Sequence, residues 1–161
     1  MHQTLAPSAV VFLAMSLLAA TPVSSMLAPR PSAADAGPVT SLARQSEFDK
    51  TAAQYETRAR NQPSNPESWY AVAKLYSDKV QADRRLPRDV AKKYVLMGLN
   101  AGDKALTINP DYYEALSLKA AMLRQRAQYE TEPAVREKLT AEADVLLAKA
   151  AALLKKYKNG G

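Results

Sequence analysis

The sequence predicts an all-α fold of about five helices that turn back on one another as antiparallel hairpins. Three observations carry this. Ala and Leu are abundant and runs of β-branched residues are missing, a balance that favours helix over strand. Beyond Ser41, apolar residues recur at helical spacing, with breaks near Pro63, Pro87, Pro110 and Pro133. Proline inside a helix removes a backbone hydrogen bond and clashes with the preceding turn, so each marks a boundary. Finally, one short motif that starts a helix occurs twice.

The prolines divide the chain into segments of about 41–61, 66–83, 88–108, 112–130 and 133–157. In the first, Phe48, Ala52, Tyr55 and Ala59 share one face and form a leading half-unit. The second opens on Pro63-Ser64, with Glu67 and then Trp69; the fourth opens on Pro110-Asp111, with Glu114 and then Leu116. Ser64 and Asp111 read as caps for orphan backbone amides. Glu67 and Glu114 would reach back from the third helical position, which makes a capping box used twice.

Trp69, Val72, Ala73 and Tyr76 are the predicted core row of the second helix, and Leu116, Ala120 and Leu123 that of the fourth. Trp69 is read as core, not as a ligand platform. The returning helices carry small residues in rows, Gly98–Gly102–Ala105 and Ala143–Leu147–Ala150. Each glycine costs about 1 kcal/mol of helix propensity, so close approach of a neighbouring helix is the expected compensation. The last helix has a wide apolar face (Val135, Leu139, Ala143, Leu146, Ala150, Leu153, Tyr157) that caps the stack or meets a second copy.

Trp69, Ala73 and Tyr76, followed by Ala105 and Pro110, resemble the tetratricopeptide repeat signature. The segment from Gly98 to Leu116 carries the strongest likeness, with Glu142 to Ala150 belonging to it. The stretch of about 45–155 resembles uncharacterised exported bacterial tetratricopeptide proteins. This implies a solenoid of helical hairpins acting through protein contacts. The pattern departs from the family in three places. Pro63 and Pro110 lie 47 positions apart, against a repeat of about 34 residues, so the middle hairpin is longer, centred on Asp83-Arg84-Arg85-Leu86-Pro87. Lys119 stands where an apolar residue is usual, and Gly102 where a larger one is.

Ahead of the helices, Ala9 to Ala20 is apolar except for Ser16 and is broken by Thr21-Pro22. Twelve helical residues span about 18 Å, short of a hydrocarbon core of about 30 Å, and match the apolar region of a signal peptide. Residues 1–25 are therefore expected to be an export signal cut after Ser25, with retention as an N-terminal anchor as the alternative. The n-region has no Lys or Arg. No Cys follows, which excludes a lipoprotein. Residues 26–40, rich in Pro, Ser, Ala and Gly, read as a disordered linker. The helical domain is expected over 41–158, with 159–161 a disordered tail. Export places the protein in the periplasm or cell envelope.

With no Cys and one His, His2, thiolate chemistry is excluded and imidazole chemistry has no base within the helical domain. Glu130/Glu132 and Glu142/Asp144 are two apart and do not face each other on a helix. No metal-ligand spacing, phosphate loop or serine nucleophile motif is present, so no catalytic residue, cofactor or metal is assigned, and a hydrolase is a remote alternative. The resemblance implies an inner groove lined by Glu67, Tyr70, Lys74 and Ser77, then Glu114, Ser117, Ala121 and Arg124. Some relatives clamp a terminal carboxylate there with Lys and Asn. Tyr70 and Lys74 occupy two of those positions, so that clamp is not reproduced. Tyr70 offers an aromatic contact, and Lys74 with Arg124 a site for a carboxylate. The net charge of +6 is concentrated partly in Arg84, Arg85, Arg88, Lys92 and Lys93 at the hairpin tip and in Lys155, Lys156 and Lys158. No aromatic interleaving accompanies them, which argues against nucleic acid. The expected partner is a protein or peptide, with homo-oligomerisation through the last helix as the alternative. Membrane contact is confined to an uncleaved signal or the basic tip.

Overall fold

Proline and capping chemistry set the helix limits. In the computed structural model, residues 38–160 are described, and they fall within one unit, Gly37–Gly161. The expectations for residues 1–37 and for Gly161 lie outside the described residues. Five helices follow in order: α1 (Pro38–Asn61), α2 (Pro66–Ala82), α3 (Arg88–Ile108), α4 (Tyr113–Ala127) and α5 (Pro133–Asn159). The all-α reading holds, and each sequence-predicted segment is a helix. Helix α1 begins inside the stretch expected to be linker, and α5 takes in Asn159 of the expected tail. No described helix is long and apolar enough to cross a membrane.

The two capping boxes are corrected. Pro66 is the first residue of α2, where its missing N–H costs nothing. A residue before proline is driven to extended backbone, so Asn65, not Ser64, becomes the N-cap. Its side chain accepts from the Glu67 amide at 3.0 Å. At α4 the cap position is Tyr112, without a side-chain hydrogen bond. Asn109 Oδ1 accepts from the Asp111 amide at 3.1 Å. The Asp111 carboxylate pairs instead with Lys149 of α5 at 2.9 Å, and the same ammonium donates to the Pro110 carbonyl at 2.7 Å. Helix α4 also stops short of the expected position. Gln128, Tyr129 and Glu130 each donate to a carbonyl three residues back, a tightened last turn.

Helices α2 and α3 form one hairpin and α4 and α5 a second; α3 packs on α4, α1 on α2, and α2 touches α4. The middle hairpin's extra length lies in its helices, since only Asp83 to Pro87 separates them. The turn is held by Asp83, whose carboxylate takes the Lys79 ammonium at 2.9 Å and the Arg85 amide at 3.3 Å. The Lys79 hydrogen bond holds the Asp83 carboxyl below its ordinary value.

The predicted core rows are buried over Trp69, Val72, Ala73 and Tyr76 on α2, Leu116, Ala120 and Leu123 on α4, and Ala143 and Ala150 on α5, while Leu147 is half-buried. Gly98 is a close-approach site. A Cβ there would stand 3.1 Å from Tyr76 Cβ and would overlap the Met122 methyl group. Gly102 is not, because its Cβ would meet Ala73 and Lys119 Cβ at 4.0 Å, ordinary contact. On α1, Ala52 and Ala59 are buried, but Tyr55 is 41% exposed. The buried stripe is turned toward Glu56, which accepts the Tyr76 hydroxyl at 2.8 Å. Tyr94 donates to Asp49 of α1 at 2.7 Å, and the Phe48 ring packs on both tyrosines.

Candidate functional site

The groove expected from sequence falls on α2 and α4, and the structure redistributes its members. Tyr70 on α2 is half-buried, and its ring meets that of Tyr112, just before α4, at 5.2 Å. Tyr113 continues this cluster onto Tyr157 of α5 at 6.0 Å. Burial, with the charges of Glu114 and Glu67 adding to it, pushes the Tyr112 hydroxyl up to about 12. The Glu114 carboxylate, hydrogen-bonded to Tyr113, raises that phenol as well. Four tyrosines and two carboxylates thus gather where α2, α4 and the end of α5 converge. Aromatic residues with a polar tip are the side chains that most often anchor protein interfaces.

Lys74 is exposed and bound to its own helix, at 2.7 Å from Asp78. That hydrogen bond raises its pKa. An i, i+4 pair of this exposure is weak in water, so an incoming carboxylate can exchange for Asp78. Arg124 pairs with Asp144 of α5 at 2.6 Å, and no hydrogen bond or ion pair joins it to Lys74. The shared carboxylate site expected of these two is therefore not assembled. Ser77 is a clear correction. It is fully buried, and its hydroxyl accepts from Gln81 at 2.9 Å, so it faces the packed interior and not a partner. Ser117 is half-buried and donates to the Tyr113 carbonyl at 2.9 Å. What remains presented by α2 and α4 is the half-buried Tyr70 and Glu114 with the exposed Glu67, Lys74, Ala121 and Arg124.

The basic tip is likewise less free than its sequence suggests. Arg88 donates to the Gln128 carbonyl at 3.3 Å and its guanidinium lies 5.5 Å from the Tyr129 ring centre. Lys92 pairs with Glu130 at 3.4 Å. Both tie α3 to the connection after α4. Arg84, Arg85 and Lys93 are exposed.

Lys119, the charged residue between Leu116 and Ala120, is a three-helix clamp that sequence reading missed. From α4 it reaches Asp103 of α3 at 2.7 Å and Glu142 of α5 at 3.5 Å. Burial pulls its ammonium down, but the hydrogen bond and charge of Asp103, aided by Glu142, outweigh this and leave its pKa raised. An apolar row interrupted by a lone Lys was the available signal; its partners on two other helices were not visible. Among the described residues, no group of three or more His, Cys, Asp or Glu comes together as a metal site. No protein-family model, curated protein or solved structure matches this chain.

Proposed function

We propose that this chain is an exported protein-interaction module of tetratricopeptide type, without catalytic activity, that binds a protein or peptide on the face formed by α2 and α4. The observation that carries the reading is the Tyr70–Tyr112 pair, set between two packed helices beside Lys74 and Glu114. Rigid helices hold these rings in place before a partner arrives, so little ordering entropy is lost on binding. The apolar run from Ala9 to Ala20 supports export to the periplasm or cell envelope.

The test is affinity capture of partners by the full chain, with Tyr70→Ala/Lys74→Ala as the comparison. Arg124 is left intact because its loss would also release Asp144. A partner bound by the wild type and lost by the variant is the expected result. A partner retained by the variant overturns the assignment of this face.

One observation favours a second reading, self-association through α5. Val145 is 69% exposed on that helix, away from its buried Leu139, Ala143 and Ala150. Sedimentation of Val145→Glu against wild type separates the two. A dimer dissolved by the substitution supports self-association, and a wild-type monomer rules it out.

A further inference from the structure

Helices α1 and α3 both lean on α2, but they meet each other only at one end. There Phe48 packs on Tyr94 with ring centres 4.9 Å apart, and Asp49 accepts the Tyr94 hydroxyl at 2.7 Å. Farther along, the two helices part and leave a cleft of about 340 Å³. Its floor is Trp69 and Val72 of α2, with Met97 and Ala101 of α3, and Leu96 stands 41% exposed at its edge. Two cations border it, Arg60 from α1 and Lys104 from α3.

The charges at this cleft are unequal in their commitments. Glu56 is occupied, accepting the Tyr76 hydroxyl at 2.8 Å and facing Arg60 at 3.4 Å. Among the described residues Lys104 makes no ion pair; its ammonium lies over the Trp69 ring, 4.1 Å from the centre. A cation resting on an indole face at an exposed site is held there only weakly. A carboxylate is a stronger partner for it, especially beside an apolar floor that excludes water. The volume is at the small end of ligand sites, which run from about 300 to 1,000 Å³.

We propose that this cleft binds a small amphipathic acid, an apolar chain ended by one carboxylate. The chain lies on Trp69, Val72 and Met97, and the carboxylate draws Lys104 off the indole and engages it together with Arg60. A cationic ligand is disfavoured by these two charges, and a neutral apolar one supplies no counter-charge to Lys104. None of the cleft's lining belongs to the Tyr70–Lys74 face, so the site is independent of the proposed protein contact.

Trp69 is the only tryptophan in the chain, so intrinsic fluorescence reads the cleft directly. The experiment titrates the full chain with decanoate below its micellar concentration, and with decanol as the uncharged control. The expected result is a saturable change in Trp69 emission with decanoate and none with decanol. Arg60→Met/Lys104→Met, which keeps the aliphatic stems and removes both charges, weakens decanoate binding by about tenfold or more. Tyr70→Ala/Lys74→Ala leaves it unchanged. Both positions of the methionine variant are exposed, and unaltered helical circular dichroism confirms its fold. No saturable change with decanoate, an equal response to decanol, or full binding by the methionine variant overturns the proposal.

Discussion

Gly98 and Gly102 lie one helical turn apart on α3, and the structure predicts opposite outcomes for the same substitution. Replacing either with Ala improves helix propensity by about 1 kcal/mol. At Gly102 the new methyl group enters ordinary contact, 4.0 Å from Ala73 Cβ and Lys119 Cβ. Gly102→Ala should therefore stabilise the protein by roughly 0.5–1 kcal/mol. At Gly98 the methyl group overlaps the Met122 methyl and lies 3.0 Å from its sulfur and 3.1 Å from Tyr76 Cβ. The Met122 end can rotate, but that side chain is fully buried and displaces others when it moves. Tyr76 Cβ is fixed to its backbone. Overpacking of this kind costs about 1–3 kcal/mol, so Gly98→Ala should be destabilising by roughly 1 kcal/mol net of the helix gain. Urea unfolding followed by circular dichroism should place the two variants on opposite sides of wild type, about 1.5–2 kcal/mol apart. Adding Met122→Ala should reduce the cost of Gly98→Ala, a non-additivity confined to this contact. If Gly98→Ala is as stable as Gly102→Ala, the close approach of α2, α3 and α4 around Gly98 is wrong.

Three other outcomes follow from the same geometry. Asn65→Ala should lose about 1 kcal/mol in thermal or urea unfolding, while Ser64→Ala changes little; the reverse order would restore the cap to Ser64. Burial, with the Asp49 and Glu56 carboxylates adding to it, holds the Tyr94 and Tyr76 hydroxyls well above their ordinary value. The unfolded tyrosines ionise near pH 10 while the folded ones stay neutral, so stability is intact below that pH and is lost as pH rises beyond it. Tyr94→Phe should make this alkaline loss shallower and cost about 1 kcal/mol at neutral pH; an unchanged pH profile in stability measurements would contradict the buried hydrogen bond. Lys119→Met should remove the ties to Asp103 and Glu142 and lower stability by about 1 kcal/mol, with a smaller effect at high salt. A salt-independent or stabilising result from the same unfolding assay would show that apolar packing alone suffices there.

The helix plan was legible because proline leaves an unambiguous mark and because core rows such as Trp69–Ala73–Tyr76 repeat at helical spacing. The caps of α2 and α4 were read one residue early; at α2, Pro66 imposes extended backbone on Asn65 and so hands it the cap. Periodicity names a face but not the neighbour it meets. That is why the Lys119 clamp, the Asp49–Tyr94 bond and the pairing of Arg124 with Asp144 were not foreseen. Ser77 was placed on the groove by the register that the tetratricopeptide resemblance implies. It lies instead on an edge of α2 that the packed helices bury. Similarly, the basic tip looked like one patch in sequence, but Arg88 and Lys92 are turned onto Gln128, Tyr129 and Glu130. The cleft over Trp69 had no sequence signal, because it arises where α1 and α3 diverge.

The central claim is that the α2–α4 face meets a protein partner through Tyr70. Site-specific photo-crosslinking in the cells that make the protein tests it most directly. A photoreactive phenylalanine analogue is placed at position 70, at position 145 on α5, or at position 93 on α3. A discrete heterologous adduct from position 70, absent from position 93, is the predicted result. No adduct from position 70, with an adduct to a second copy from position 145, would contradict the account and assign α5 as the working surface.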